Sequence, residues 1–298
     1  MFLLYLCRKE VLQMFHKTLN IKGTLVPLDR PIVMGILNVT PDSFYADSRK
    51  QTESAISERI ETILSEGGEI IDIGGYSSRP NAIDISPEEE LKRLAFALKI
   101  IQTHYPQTIV SVDTFRASVA RQVVEDFGAA IINDISGGQI DNAMFETVAR
   151  LHVPYISMHM RGTPQTMQQY TEYTNIMEEI LLYFANKVNQ LRQMGVNDII
   201  LDPGFGFSKT VDQNYILMQH LEDFHELELP LLVGISRKSM IFKYLDKTAS
   251  DSLNGTTVLN TYALLKGAHI LRVHDVKEAV EAIKIVDKLT KENGLCCG

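Results

Sequence analysis

Long basic segments and long apolar runs are both missing from this sequence of 298 residues. Its formal net charge of -8 and the lack of a basic tract argue against nucleic acid or an anionic membrane surface as a partner. No apolar run reaches the roughly 18 residues that a membrane-spanning helix needs. The apolar stretch at residues 2–6 is too short for a secretion signal, and Arg8 and Lys9 follow it instead of preceding it. We therefore expect a cytoplasmic protein that binds neither nucleic acid nor a membrane.

Cysteine is also scarce, and the three cysteines stand near the ends of the chain, at Cys7, Cys296 and Cys297. Their spacing forms neither a metal-binding motif nor a disulfide framework, so we interpret them as free thiols. A Gly-x-Gly-x-x-Gly turn that opens a helix is missing too. The sequence thus lacks the usual mark of a dinucleotide-binding fold.

What the sequence does contain is a regular alternation of short apolar segments and helical segments. Predicted strands cover residues 32–37, 69–74, 109–112, 129–132, 153–158, 198–201, 229–235 and 268–273. Predicted helices cover residues 53–65, 87–103, 116–127, 142–151, 173–194, 213–221, 253–266 and 277–291, and a short one begins near Lys238. The strands are rich in Ile, Val and Leu, as buried parallel strands are. We expect a poorly ordered or loosely docked extension at residues 1–19 and a single (β/α)8 barrel at residues 20–298, with an open doubly wound sheet as the alternative.

Polar side chains follow nearly every predicted strand. In chain order they include Asn38, Ser78, Arg79, Asp113, Asn133, Asp134, His159, Arg161, Asp202, Phe207, Lys238, Ser239, Arg272 and His274. Because the carboxyl ends of barrel strands share one face, we expect these side chains to converge on a single active site.

One set of these side chains suits a nitrogen heterocycle. Asp113, Asn133 and Asp202 can accept the N–H groups of such a ring, and the amide of Asn133 can donate in return. Lys238 can donate to a ring oxygen or nitrogen. The segment from Gly204 to Phe207 can lay an aromatic ring against a planar ligand.

A second set suits an anion such as phosphate. Arg79, Arg272 and His274 are cationic or hydrogen-bond-donating, and Ser78 adds a hydroxyl. Asn38 offers a neutral oxygen, which fits a Mg²⁺ ion held mostly by substrate phosphates and water. A phosphorylated heterocycle would engage both sets.

Each of these residues also has a structural explanation. Asp113 and His274 could cap helices, and Lys238 and Arg79 could be solvated surface residues. His159 could be a buried histidine with satisfied hydrogen bonds, and the sequence does not decide between that and a site role. The two explanations stay open at this stage.

The motifs themselves resemble those of the dihydropteroate synthase family, in order and spacing, from about residue 31 to residue 287. The segments that carry the resemblance are Asn38-Val39-Thr40-Pro41-Asp42-Ser43-Phe44, Asp113-Thr114, Ile132-Asn133-Asp134-Ile135, Met158-His159-Met160, Asp202-Pro203-Gly204-Phe205-Gly206-Phe207, Ser236-Arg237-Lys238-Ser239 and Arg272-Val273-His274-Asp275-Val276. The resemblance implies a (β/α)8 barrel that joins 6-hydroxymethyl-7,8-dihydropterin diphosphate to 4-aminobenzoate and releases diphosphate. In the family, sulfonamide drugs mimic the aminobenzoate, so the resemblance also implies that the aminobenzoate site is a sulfonamide target.

The same resemblance implies roles for individual residues. The pterin would bind Asp113, Asn133, Asp202 and Lys238; the diphosphate would bind Ser78, Arg79, Arg272 and His274; the aminobenzoate would bind Phe207 and Ser239; Mg²⁺ would meet Asn38; and Phe44 and Asp47 would contact substrate from a mobile loop. The resemblance further implies a homodimer.

The sequence departs from the family pattern at two places. Tyr76 stands where the family usually has Glu, and after Phe44 the aspartate comes one residue late, at Asp47. Two other functions remain in view: a sibling barrel that transfers a methyl group from methyltetrahydrofolate to a corrinoid protein, and a pterin-binding paralogue without activity. The first has no need of the diphosphate set, and the second should have lost it.

Overall fold

The computed structural model describes residues 17–40, 49–77 and 84–290. A hairpin of β1 (Thr18–Ile21) and β2 (Thr24–Pro27) precedes eight further strands: β3 (Ile32–Asn38), β4 (Ile70–Gly74), β5 (Ile109–Asp113), β6 (Ile131–Asp134), β7 (Tyr155–Met158), β8 (Ile199–Asp202), β9 (Leu232–Val233) and β10 (Ile270–Val273). The α-helices are α1 (Arg49–Ser65), α2 (Pro87–His104), α3 (Ala117–Glu125), α4 (Met144–Leu151), α5 (Ile176–Gln193), α6 (Val211–Gln219), α7 (Ser239–Phe242), α8 (Leu253–Leu265) and α9 (Val276–Thr290). Short 3-10 helices occur at Met167–Gln169, Leu221–Leu227 and Ser250–Ser252.

The eight strands β3 to β10 form a parallel barrel. They pair in the order β8-β7-β6-β5-β4-β3-β10-β9, and a bridge between Leu201 and Leu231 joins the two edges. The (β/α)8 prediction is therefore confirmed, and the open-sheet alternative is wrong. In the described ranges, no helix is long and apolar enough to cross a membrane.

Helix α2 illustrates how local sequence places a helix on the outside of the barrel. The Ser86 side chain accepts from the backbone N–H of Glu89 at 3.3 Å, Pro87 occupies the first turn, and acidic residues follow. Leu94 and Ile101 are buried in the core layer between the helices and the barrel. The helix therefore starts where its cap dictates and is held by its apolar face.

The hairpin closes the barrel at the end where the strands begin. Leu19, Ile21 and Leu28 are buried in one cluster with residues at the start of the barrel strands, such as Ile32 and Ile270. The predicted division after residue 19 passes through β1, because Leu19 belongs to this core. Residues 1–16 of the predicted extension lie outside the described residues, so the extension stays a prediction.

Candidate active site

Strand register sets three predicted site residues and one glycine at one level of the barrel. Asn38 pairs with Gly74, Gly74 with Asp113, and Asp113 with Asn133 across β3, β4, β5 and β6. Gly74 leaves room between its neighbours: a Cβ there would stand 3.4 Å from Oδ1 of Asn38 and 3.8 Å from Cβ of Asp113. Because the strands are parallel, this level lies at their carboxyl ends, where the sequence predicted the site.

A network of carboxylates and one guanidinium lies inside this end of the barrel. Arg272 donates from Nε to Oδ2 of Asp72 at 2.6 Å and from Nη2 to Oδ2 of Asp113 at 3.0 Å. Asn133 donates from Nδ2 to the same oxygen of Asp72 at 3.2 Å. Arg272, predicted for the diphosphate, thus contacts Asp113, predicted for the pterin, and the two sets meet at this side chain.

The protonation of this network reflects burial and charge together. Burial raises the pKa of Asp113 to about 7; Arg272 opposes the rise, and the charge of Asp72 adds to it. Burial would lower the pKa of Arg272, but the charges of Asp72 and Asp113 outweigh it, so the net shift is upward and Arg272 stays a cation. Asp113 therefore titrates near neutrality beside a fixed positive charge.

Asp202 and Lys238 form the other side of the site. Asp202 is 5 % exposed, and its Oδ1 accepts from the backbone N–H of Gly204 at 2.8 Å. Burial raises the pKa of Asp202, and Lys238 opposes that rise. Burial likewise lowers the pKa of Lys238 to about 8, against the charge of Asp202. A Cβ on Gly234 would lie 3.9 Å from Oδ2 of Asp202 and 3.8 Å from Cβ of Arg272, so that glycine separates the two halves of the site.

Lys238 also joins the heterocycle set to the aromatic loop. Its Nζ donates to the carbonyl of Phe205 at 2.5 Å and stands 4.7 Å from the centre of the Phe207 ring. Phe207 is half-buried and packs against a cluster that includes Met158 and Met160. Lys238 is therefore neither remote from the site nor simply a solvated surface residue.

A second buried lysine, Lys209, bonds the backbone of the loop that carries Phe207. Nζ of Lys209 lies 3.0 Å from Nδ1 of His159 and donates to the carbonyls of Gly204 and Phe207, both at 3.0 Å. Burial lowers the pKa of both Lys209 and His159, and the positive charge of Lys209 lowers that of His159 further. His159 is 2 % exposed and bonded within the fold, which resolves the choice left open by the sequence in favour of a structural role.

His274 and Asn38 are the described residues predicted to meet the diphosphate and Mg²⁺, respectively. Nδ1 of His274 lies 3.1 Å from Oγ of Ser236, and burial, followed by the charge of Arg272, lowers the pKa of His274 to about 4. Asn38 is half-buried at the end of β3. Among the described residues no cluster of three or more His, Cys, Asp or Glu side chains could hold a metal by itself. The amide oxygen of Asn38 fits an ion whose other ligands come from phosphate and water.

Four of the predicted site residues fall in parts of the chain that the structure does not describe. Phe44, Asp47, Ser78 and Arg79 lie outside the described residues, and their roles stay predictions. The described side chains that come together are Asn38, Asp113, Asn133, Asp202, Phe207, Lys238, Arg272 and His274. Ser239 opens α7 directly after Lys238.

Two residues of the site were missed by the sequence reasoning. Asp72 lies in the middle of β4, fully buried between isoleucines, and a charged residue inside an apolar strand is the signal that could have found it. Lys209 gave no such signal, because its partners are backbone carbonyls and a histidine 50 residues earlier.

Comparison with known proteins agrees with this geometry. A family model described as pterin binding enzyme matches residues 34–274. The dihydropteroate synthase of Escherichia coli K12 is 41 % identical over 276 residues, which cover 91 % of this chain and 97 % of that protein. A Yersinia pestis dihydropteroate synthase in complex with a sulfonamide drug superposes with a TM-score of 0.84 at 38 % identity, covering 92 % of this chain and 98 % of that one.

A Xanthomonas albilineans dihydropteroate synthase solved with 4-aminobenzoic acid also has a TM-score of 0.84, at 32 % identity, and covers 93 % of this chain and 99 % of that one. The matches extend through the barrel and through the motifs at its strand ends. The chain therefore belongs to the dihydropteroate synthase family of pterin-binding enzymes, which are transferases of folate synthesis.

Proposed function

We propose that this chain condenses 6-hydroxymethyl-7,8-dihydropterin diphosphate with 4-aminobenzoate to give 7,8-dihydropteroate and diphosphate at the carboxyl end of the barrel. The observation that carries the proposal is the meeting of Asp113, Asn133 and Arg272 in one hydrogen-bonded network. Such a network offers acceptors and an amide to a heterocycle and a cation to the group next to it.

The pterin ring takes the carboxylates and the amide. Asp113, Asp202 and the amide oxygen of Asn133 accept its N–H groups, and Lys238 donates to one of its acceptors. As the bond between the methylene carbon and the diphosphate oxygen breaks, its electron pair leaves with diphosphate and positive charge spreads into the ring. The two carboxylates, held in place beforehand, stabilise that charge.

The diphosphate takes the donors on the opposite side. Nη1 of Arg272 donates to no other described residue and is free for a phosphate oxygen. Ser236 can donate its hydroxyl proton to Nδ1 of His274, which leaves the ring proton on Nε2 as a second donor. Mg²⁺, met by the amide oxygen of Asn38, would supply charge stabilisation to the leaving group when bound.

The aminobenzoate is placed by the aromatic loop. Phe207 gives an apolar wall and Ser239 a hydroxyl, so the amine is held beside the methylene carbon. The amine lone pair forms the new C–N bond, and one amine proton is released. No nucleophilic side chain takes part.

The homodimer and the cytoplasmic location are also proposals. Exposed apolar side chains on α8 and α9, such as Val258, Leu265, Ile285 and Leu289, offer a surface for a second copy. Sedimentation of the purified chain tests the dimer. A monomer at micromolar concentration would contradict it.

Diphosphate release tests the proposed function directly. The purified chain with pterin diphosphate, 4-aminobenzoate and Mg²⁺ should release diphosphate, and Asp202→Ala should abolish pterin binding in calorimetry. The exposed Asp126→Asn is the matched control and should behave as the parent. Methyl transfer to a corrinoid protein without diphosphate release would favour the sibling barrel, and binding without turnover would favour the inactive paralogue.

A further inference from the structure

Asp72 is a carboxylate in the interior of the barrel to which the family motifs give no role. It is fully buried in β4, with Ile71 and Ile73 on either side in the chain. Burying a carboxylate is unfavourable unless it is paired and hydrogen-bonded. Its contacts therefore need to be explained.

A single oxygen of Asp72 orients two residues of the proposed site. Oδ2 accepts from Nε of Arg272 at 2.6 Å and from Nδ2 of Asn133 at 3.2 Å. The first bond fixes one edge of the guanidinium, and the contact of Nη2 with Asp113 fixes its plane. The second bond turns the amide nitrogen of Asn133 towards β4, so the amide oxygen points the other way.

The second oxygen of Asp72, Oδ1, is buried and makes no hydrogen bond within the described part of the fold. A carboxylate that only satisfied the fold would be expected to use both oxygens, because an unpaired buried acceptor lowers stability. The negative charge of Asp72 acts on both Asp113 and Arg272.

We propose that Asp72 is a positioning residue of the condensation reaction: it holds Arg272 and Asn133 in the orientation that meets pterin diphosphate, and its charge acts on Asp113. The inference rests on the proposed function. The effect on Asp113 has a sign, because a neighbouring negative charge disfavours ionisation. After burial and the opposing effect of Arg272, the charge of Asp72 is the next cause of the shift that brings the pKa of Asp113 to about 7, ahead of the charges of Glu90 and Asp134.

The test is Asp72→Asn, which keeps size and removes charge. We expect the KM for pterin diphosphate to rise about tenfold or more while the KM for 4-aminobenzoate changes less than about twofold. We also expect the acid limb of pterin binding, measured by calorimetry with a bare pterin, to move to lower pH. Ser111→Ala is the matched control, since Ser111 pairs with Asp72 across β4 and β5 and is equally buried; it should keep both KM values and the acid limb.

Several outcomes would overturn the inference. They are unchanged KM values and acid limb in Asp72→Asn, or an equal rise in both KM values, which would indicate a general structural defect. If Asp72→Asn does not fold, Asp72→Glu keeps the charge but displaces the oxygens. It should keep the acid limb and raise the KM for pterin diphosphate, and parent-like kinetics would contradict the proposal. Because the pterin titration needs no turnover, it remains informative even if diphosphate release fails in the parent.

Discussion

Arg272 donates to Asp113 at 3.0 Å, although the sequence assigned these two residues to different parts of the substrate. The contact means that the proposed pterin and diphosphate sites share a residue. A change on one side will therefore be felt on the other.

Arg272→Ala should consequently weaken binding of a bare pterin as well as of its diphosphate. It should also lower the free energy of unfolding by about 3–5 kcal/mol, because Asp72 and Asp113 lose their buried cation. Urea denaturation and calorimetry measure the two effects. Arg30→Ala is the control: its pair with Glu69 is largely exposed, so the loss should be below about 1 kcal/mol. Bare-pterin affinity that is unchanged in Arg272→Ala would argue against a shared residue.

The pH dependence of stability should report on Asp113. Its pKa is about 7 in the folded protein, against about 4 in an unfolded chain, so the folded state binds this proton more tightly. The contribution of this group to the free energy of unfolding therefore decreases as pH rises from about 4 to about 7 and is constant above that range. Asp113→Asn should flatten the slope of stability against pH in this window, whereas Asp126→Asn should retain it. Parallel slopes for the parent and Asp113→Asn would refute the assignment.

Lys209→Met should affect 4-aminobenzoate more than the pterin. The substitution removes the ammonium donor from the carbonyls of Gly204 and Phe207, which keep only the backbone N–H of Phe207 and the hydroxyl of Ser208 as donors. We expect it to destabilise the loop by about 1–3 kcal/mol in total. We expect the KM for 4-aminobenzoate to rise about tenfold and the pterin affinity to change less. The exposed Lys99→Met should match the parent. Loss confined to the pterin would show that the lysine does not hold this loop.

Two glycines with positive φ give a paired test of the same loop. Gly204 has φ of +72°, and a Cβ there would lie 2.0 Å from the carbonyl oxygen of His159. Gly195 has φ of +87° with nothing within 4 Å of such an atom. Gly195→Ala should therefore lower stability by about 1–2 kcal/mol, the strain of a left-handed alanine alone. Gly204→Ala should lower it clearly more and impair binding of 4-aminobenzoate, as thermal unfolding and calorimetry would show; equal effects would contradict the close contact.

Residues at the strand ends could be predicted because local pattern determines them. The alternation of apolar and helical segments predicted the barrel. The polar residues at the strand ends predicted Asn38, Asp113, Asn133 and Asp202 as site residues. The pairing of Arg272 with Asp72 could not be predicted, because 200 residues separate them and the contact exists only once the barrel closes. The hairpin of β1 and β2 was not predicted either. Lys22 and Gly23, both with positive φ, form its turn.

β9 was predicted at residues 229–235, and it comprises only Leu232–Val233. The apolar run is longer than the strand because its other residues are buried without extended pairing. Leu231 makes a lone bridge to Leu201, and Ile235 already belongs to the turn that leads to Lys238. Hydrophobicity alone reports burial and not backbone pairing, so it could not set this boundary.

The short β9 leaves few ladder hydrogen bonds between β8 and β9, and two of the proposed pterin-binding residues stand on either side of this seam. On one side Asp202 follows Leu201 at the end of β8; on the other side Lys238 follows the turn after β9. A pterin bound to both residues would link β8 and β9, the two edge strands of the sheet. Among the barrel strands, the amide hydrogens along this seam should then exchange with solvent fastest in the empty protein, and their exchange should slow most when the pterin binds. The substrate would in this way stabilise the closure of the barrel.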